Sequence, residues 1–100
     1  MKINPAQMQA RAADASNLLK LLSHPKRLLL LCAILEKPLP VGELALRVGL
    51  RESSTSQQLA LLREARLVVP IREAQVVRYH IDSYEAKEVI KVLHRIFCKE

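Results

Sequence analysis

The sequence predicts a mainly α-helical domain carrying one β-hairpin, and three observations support this reading. Long breaker-free stretches lie at both ends of the chain, the last of them carrying an apolar stripe at helical spacing. Two short helical segments meet across Gly49, and two β-branched runs follow them, with only Glu73-Ala74-Gln75 between.

From Ala6 to Leu22 the chain is rich in Ala, Gln, Leu and Lys, with Asn4 as a cap and Pro5 at the first helical position. Ser23-His24-Pro25 ends that helix. Pro25 opens a second, running to about Leu35 and apolar on nearly every side through Leu28, Leu29, Leu30, Leu31, Cys32, Ile34 and Leu35, the pattern expected of a central core helix. Pro38-Leu39-Pro40 stops it. Val41, Leu44, Ala45 and Val48 have helical spacing, with Gly49 as terminator. The next helix begins at Arg51-Glu52-Ser53-Ser54-Thr55, whose short polar side chains are expected to cap it. Thr55, Leu59 and Leu62 form its inward stripe, with Ala65 at the end. Leu67 to Arg72 and Val76 to Ile81 are the hairpin strands. Pro70 marks the first as an edge strand or bulged. Asp82 and Ser83 are good caps for a last helix reaching about Cys98, with Ala86, Val89, Ile90, Leu93, Ile96 and Phe97 as one stripe.

The chain has 100 residues, half of them hydrophobic, which bounds it to one small domain, residues 1–100. A helical protein of this size often completes its core by dimerising. Only Tyr79, Tyr84 and Phe97 are aromatic, so the core is aliphatic and no stacking platform for single strands is available. A net charge of +6 favours a polyanionic partner. The apolar run from Leu28 to Leu35 is too short to span a bilayer, and the start Met1-Lys2-Ile3-Asn4-Pro5 is unlike a signal peptide, so no membrane role and a cytoplasmic location are expected. There Cys32 and Cys98 are either inert or a reversible redox pair, not a permanent disulfide.

Two short helices joined at a glycine and followed directly by a hairpin make a winged helix-turn-helix, whose second short helix enters the major groove of double-stranded DNA. Ser53, Ser54, Ser56, Gln57 and Gln58 are compact hydrogen-bonding groups for base edges or phosphates, the two amides suiting adenine. Arg51, Arg63, Arg72 and Arg78 are expected on phosphates, with Gln75 at the tip of the wing. Enzyme function is not expected: no Gly-rich phosphate loop, nucleophile–base pair or paired carboxylates stand out, and no cofactor is implied.

The stretch from Leu21 through Ser23-His24-Pro25-Lys26-Arg27 to Leu31, then Val41-Gly42-Glu43-Leu44, then Ser53 to Arg63, and finally Val77-Arg78-Tyr79-His80-Ile81, resembles the ArsR/SmtB family of bacterial repressors over nearly the whole chain. The resemblance implies a homodimer built on the first and last helices and binding an imperfect inverted repeat. It also implies a His where this chain has Gln58, so base preference is expected to differ. Of the family's metal sites, one needs thiols near Pro40 to Leu44, where there are none. Another needs Asp-x-His and His-x-x-Glu, where this chain has Asp82, Tyr84, Arg95 and Cys98, so no metal is expected. His24, His80 and His94 are expected to be structural or superficial.

One cysteine in the second helix and one at the end of the last matches the two-cysteine branch of that family, which responds to reactive sulfur species or oxidants. By that resemblance Cys32 and Cys98 are the sensing pair, closing a disulfide or longer sulfur bridge that alters DNA affinity. Lys91, Arg95 and Lys99 are candidates for lowering the Cys98 pKa. Two other readings remain open: a regulator of the same fold that senses a metal or small molecule, or displaces another regulator, and a winged helix used only for protein contacts.

Overall fold

The computed structural model describes residues 1–98, so Lys99 lies outside the described residues. The order is α1 (Pro5–Leu22), α2 (Pro25–Glu36), α3 (Val41–Val48), α4 (Glu52–Glu64), β1 (Val68–Glu73), β2 (Val76–Ile81) and α5 (Tyr84–Phe97). This is the winged helix-turn-helix arrangement, five helices and one antiparallel hairpin.

Local chemistry accounts for most boundaries. Asn4 accepts the Gln7 N–H at 3.1 Å, and prolines open both α1 and α2, where a missing N–H has no consequence. His24 caps α2, its Nδ1 accepting the Arg27 N–H at 3.4 Å. Ser83 caps α5 by accepting from Ala86 N at 3.1 Å. Gly49 ends α3 in the left-handed region at φ +70°, letting Leu50 N–H reach back to the Ala45 carbonyl at 3.1 Å. Lys26 holds the same corner from α2, donating its Nζ to the Val48 carbonyl. The last turn of α4 closes in the same manner, with Leu67 N–H donating to Leu62 O and Arg66 N–H to Arg63 O. That closure puts Arg66 at φ 63°, a conformation unusual for a β-carbon residue.

The core is aliphatic and centred on α2. Leu30, Leu31 and Ile34 pack with Leu44 and Val48 of α3, Leu59 and Leu62 of α4, Val68 of β1 and Ile90 of α5. Truncating any of these fully buried leucines to Ala is expected to cost about 2–5 kcal/mol. Thr55 is buried within this set, satisfied by donating its Oγ1 to the Arg51 carbonyl at 2.9 Å.

The hairpin pairs Val68 with Ile81 through Glu73 with Val76, so the loop is only Ala74-Gln75. Leu39 forms a further bridge on the outer side of β2, its carbonyl accepting Tyr79 N–H at 2.9 Å. Because Tyr79 donates away from β1, its partner Pro70 occupies a position where no ladder donor is needed. β1 is therefore a regular edge strand, and Pro70 needs no bulge.

Several expectations are corrected. α2 is not enclosed: Leu29 is half-exposed, and Cys32 and Leu35 are only partly buried, because α2 forms one wall of an open groove. The start of α4 is not capped by a serine or threonine. Arg51 is the cap position and makes no side-chain cap bond, since Ser53 and Ser54 already lie within the first turn. Ala65 is exposed rather than inward. The stripe on α5 is buried only at Ala86 and Ile90, while Ile96 and Phe97 face outward.

Candidate DNA-reading surface and thiol groove

α4 is held by its inward side, so its outer side is determined by elimination. Thr55, Leu59 and Leu62 are fully buried, Ser53 and Gln57 lie exposed on the opposite face, and Ser56 and Arg63 are exposed along one flank. Arg51 is exposed immediately before the helix. Ser54 is half-buried on its flank. Gln58 departs from the sequence reading, because its side chain is half-buried and its Oε1 is enclosed without a hydrogen-bond partner among the described residues. It stands one turn from buried Leu62 and adjoins Leu59, so the helical repeat turns it partly toward the body. Gln57, one position earlier, is free of that constraint.

The carboxylate of Glu52, the one acidic side chain in the first turn of α4, bends toward the start of α3. A methyl group placed on Gly42 would meet its carboxyl atoms at 3.9 Å. The first N–H groups of α4 are thus left without side-chain caps.

In the wing, Arg72 is exposed and Arg78 half-buried. Arg72 is paired with Val77 and Arg78 with Ile71, and neighbouring pairs of a hairpin point to opposite faces. The two arginines therefore occupy opposite faces and do not form one patch. Glu73 and His80 share the face of Arg78 and pair with each other at 3.2 Å. Gln75 is exposed at the tip, beside Ala74 at φ 60°. No ion pair engages Arg51, Arg63, Arg72 or Arg78 among the described residues.

The cysteines, 66 positions apart in sequence, line one groove of about 610 Å³. α2 contributes Leu29, Cys32 and Leu35, α3 contributes Arg47 and Val48, and α5 contributes Ile90, His94 and Cys98. Both thiols are unpaired. Cys32 is half-buried in the wall, whereas Cys98 is exposed at the end of α5. Burial pushes the Cys32 thiol pKa up, and the neighbouring Cys98 adds to that rise by opposing a second negative charge. Sequence reasoning found the pair but not the groove, whose third wall comes from the helix-turn-helix itself. Of the imagined metal positions, Cys98 faces this groove, and among the described residues no three His, Cys, Asp or Glu side chains converge. No helix of the described residues is long and apolar enough to cross a membrane.

Comparison with known proteins agrees with this arrangement. Residues 24–69 match the family model described as bacterial regulatory protein, arsR family. Over 97 residues the chain is 42% identical to the transcriptional activator HlyU of Vibrio cholerae, covering 97% of this chain and 90% of that protein. It is 39% identical to the biofilm growth-associated repressor of Xylella fastidiosa, covering 93% and 82% respectively. A solved structure described as reduced HlyU from Vibrio cholerae superposes with a TM-score of 0.86 at 43% identity, covering 93% of this chain and 98% of that one. With the core of the helix-turn-helix, the wing and nearly the full length matched, the chain belongs to the ArsR family of bacterial regulatory proteins and is a winged-helix, DNA-binding transcriptional regulator, not an enzyme.

Proposed function

We propose that this protein is a homodimeric repressor whose affinity for an imperfect inverted repeat in double-stranded DNA is switched by sulfur chemistry at Cys32 and Cys98. The single observation that supports the switch best is the shared groove: two thiols from distant parts of the sequence open into one space bounded by α3 of the helix-turn-helix. A bridge between them ties α2 to α5 beside α3, and any shift of α3 is passed to α4 through the tight Gly49 turn. Dimeric binding amplifies such a shift, because two recognition helices must meet two half-sites at once. The cytoplasm, where free thiols persist, is the compartment in which this switch operates.

The chemistry balances with a persulfide as the only reagent. The Cys98 thiolate attacks the outer sulfur of R–S–S–H, breaking the S–S bond, so that Cys98 carries the persulfide and RS⁻ leaves to take up a proton. Cys32 then attacks the inner sulfur of that persulfide, closing Cys98–S–S–Cys32 and expelling hydrogen sulfide. Two thiols are oxidised and one sulfane sulfur is reduced. Insertion of further sulfane sulfur gives a longer bridge when the sulfurs are too far apart for a direct bond.

On DNA, Gln57 with Ser53 and Ser56 reads base edges, and Gln58 and Ser54 support from the flank. Arg51, Arg63, Arg72 and Arg78 meet phosphates from α4 and the two faces of the wing, with Gln75 at its tip. The open N–H groups at the start of α4 suit a phosphate oxygen. Dimerisation through α1 and α5 is supported by the outward Val92, Ile96 and Phe97 on α5 and by the nearly uncovered length of α1. Cys98→Ser tests the switch. This variant is expected to bind DNA as the reduced parent does and to ignore an organic persulfide. A persisting response removes Cys98 from the mechanism.

A further inference from the structure

We infer that the groove selects its sulfur donor by charge, taking an organic persulfide whose carrier bears a carboxylate that Arg47 and Lys91 hold while the outer sulfur meets Cys98. This deepens the thiol-switch reading and rests on it.

Three features support the inference. The first is size: about 610 Å³ is far more room than a bare hydropersulfide ion fills, and the walls of Leu29, Leu35, Val48 and Ile90 suit the carbon skeleton of a carrier. The second is charge. The groove is lined by Arg47, Lys91 and His94 against a single carboxylate, Glu36. Arg47 contacts Glu36 at 3.6 Å and Lys91 contacts Glu88 at 3.5 Å. These pairs are solvent-exposed and weak, so an entering carboxylate competes for both cations. The third is alignment. Lys91, His94 and Cys98 follow one another at spacings of three and four along α5, which stacks them on one side. A carboxylate anchored near Lys91, with Arg47 opposite on α3, therefore directs the rest of the carrier along the line that ends at Cys98.

Sulfane transfer is the step already written. The outer sulfur of the bound persulfide passes to the Cys98 thiolate, and the carrier leaves as its thiolate with the carboxylate unchanged. Arg47 and Lys91 are positioning residues, since they touch the carrier and not the reacting sulfurs. Glu36 opposes them by occupying Arg47.

The test compares N-acetylcysteine persulfide with the persulfide of N-acetylcysteine amide, which differ by one charge, and reads the rate of Cys32–Cys98 bridging by intact mass. The parent protein is expected to prefer the carboxylate donor by about fivefold more than the Arg47→Gln, Lys91→Gln double variant does, in keeping with exposed charge contacts. Glu36→Gln is expected to raise the preference. N-acetylalanine, which carries the carboxylate and no sulfur, is expected to slow bridging of the unaltered protein by the carboxylate donor, a measurement independent of variant folding. Equal preference in all three proteins with no competition by N-acetylalanine, while bridges still form, overturns the charge selection and leaves the switch standing. Absence of a bridge with both donors and with inorganic hydrogen disulfide overturns the switch reading itself.

Discussion

Cys32 and Cys98 differ in their surroundings, and that difference sets the order in which they react. Burial first, and the Cys98 charge second, hold Cys32 protonated above the ordinary thiol range, while Cys98 stands in solvent. Iodoacetamide is therefore expected to label Cys98 before Cys32. Cys98→Ser removes the repulsion but not the burial, so the labelling profile of Cys32 should move to lower pH while staying above that of a free thiol. An unmoved profile contradicts the coupling. A raised folded-state pKa also means that ionising Cys32 costs stability, so this contribution is intact below the ordinary thiol pKa and lost as pH rises through the folded value. A second residue-scale prediction concerns Arg66, held at φ 63°. Arg66→Gly is expected to stabilise the protein by about 0.5–1 kcal/mol, read as a rise in Tm; a fall would mean that the arginine makes a contact outweighing its backbone cost. Neither Arg66 nor Ala74 was legible in the sequence, because positive φ is signalled by Gly, Asn or Asp and this chain uses none of them at those turns.

At the scale of elements, the punctuation was legible wherever a residue has one physical meaning. Pro5, Pro25, Gly49 and Ser83 each stand where the sequence puts them, because a missing N–H, a left-handed turn or a capping hydroxyl leaves few alternatives. The serines of α4 misled because short polar side chains serve equally as caps or as exposed helix-face groups. Leu39 was missed as a sheet partner because one residue between two prolines has no periodicity to detect. The faces of α4 and the wing separate base reading from phosphate contact. Gln57→Ala is expected to weaken binding to the specific site by about 1–3 kcal/mol more than to random DNA. Arg72→Ala should weaken both alike and flatten the salt dependence by about one phosphate contact. Equal losses for the two variants on both DNAs refute this division. Gln58→Ala is expected to have a smaller effect on specificity than Gln57→Ala, since its amide oxygen is turned inward.

The whole molecule has more surface than a self-sufficient domain of its mass. Its accessible area is 7446 Å², against about 5,700 Å² for a compact 11.3 kDa monomer. Its radius of gyration is 14.7 Å, against about 13 Å for a compact chain of this length. The excess, about 1,700 Å², is roughly twice what one partner buries in a standard-size interface and falls in the range of one side of a large obligate dimer, and Phe97, 79% exposed, stands where α5 has run out of its own core. Sequence periodicity gave Ile96 and Phe97 as part of one apolar stripe, but periodicity does not distinguish burial within a chain from burial between chains. Phe97→Glu is expected to leave the helical circular-dichroism signal unchanged, to shift the protein toward monomer in sedimentation, and to reduce affinity for the paired site far more than for a half-site. A dimer unaffected by this charge would move the interface off α5.

The thiol switch is tested most directly by titrating DNA from upstream of the protein's own gene with fully reduced protein and with protein treated with an organic persulfide. Such a switch requires tight reduced binding that falls on treatment, together with an intramolecular Cys32–Cys98 bridge in the intact mass. Tight binding that ignores the treatment would contradict it, returning both cysteines to a packing role and directing the search to another inducer.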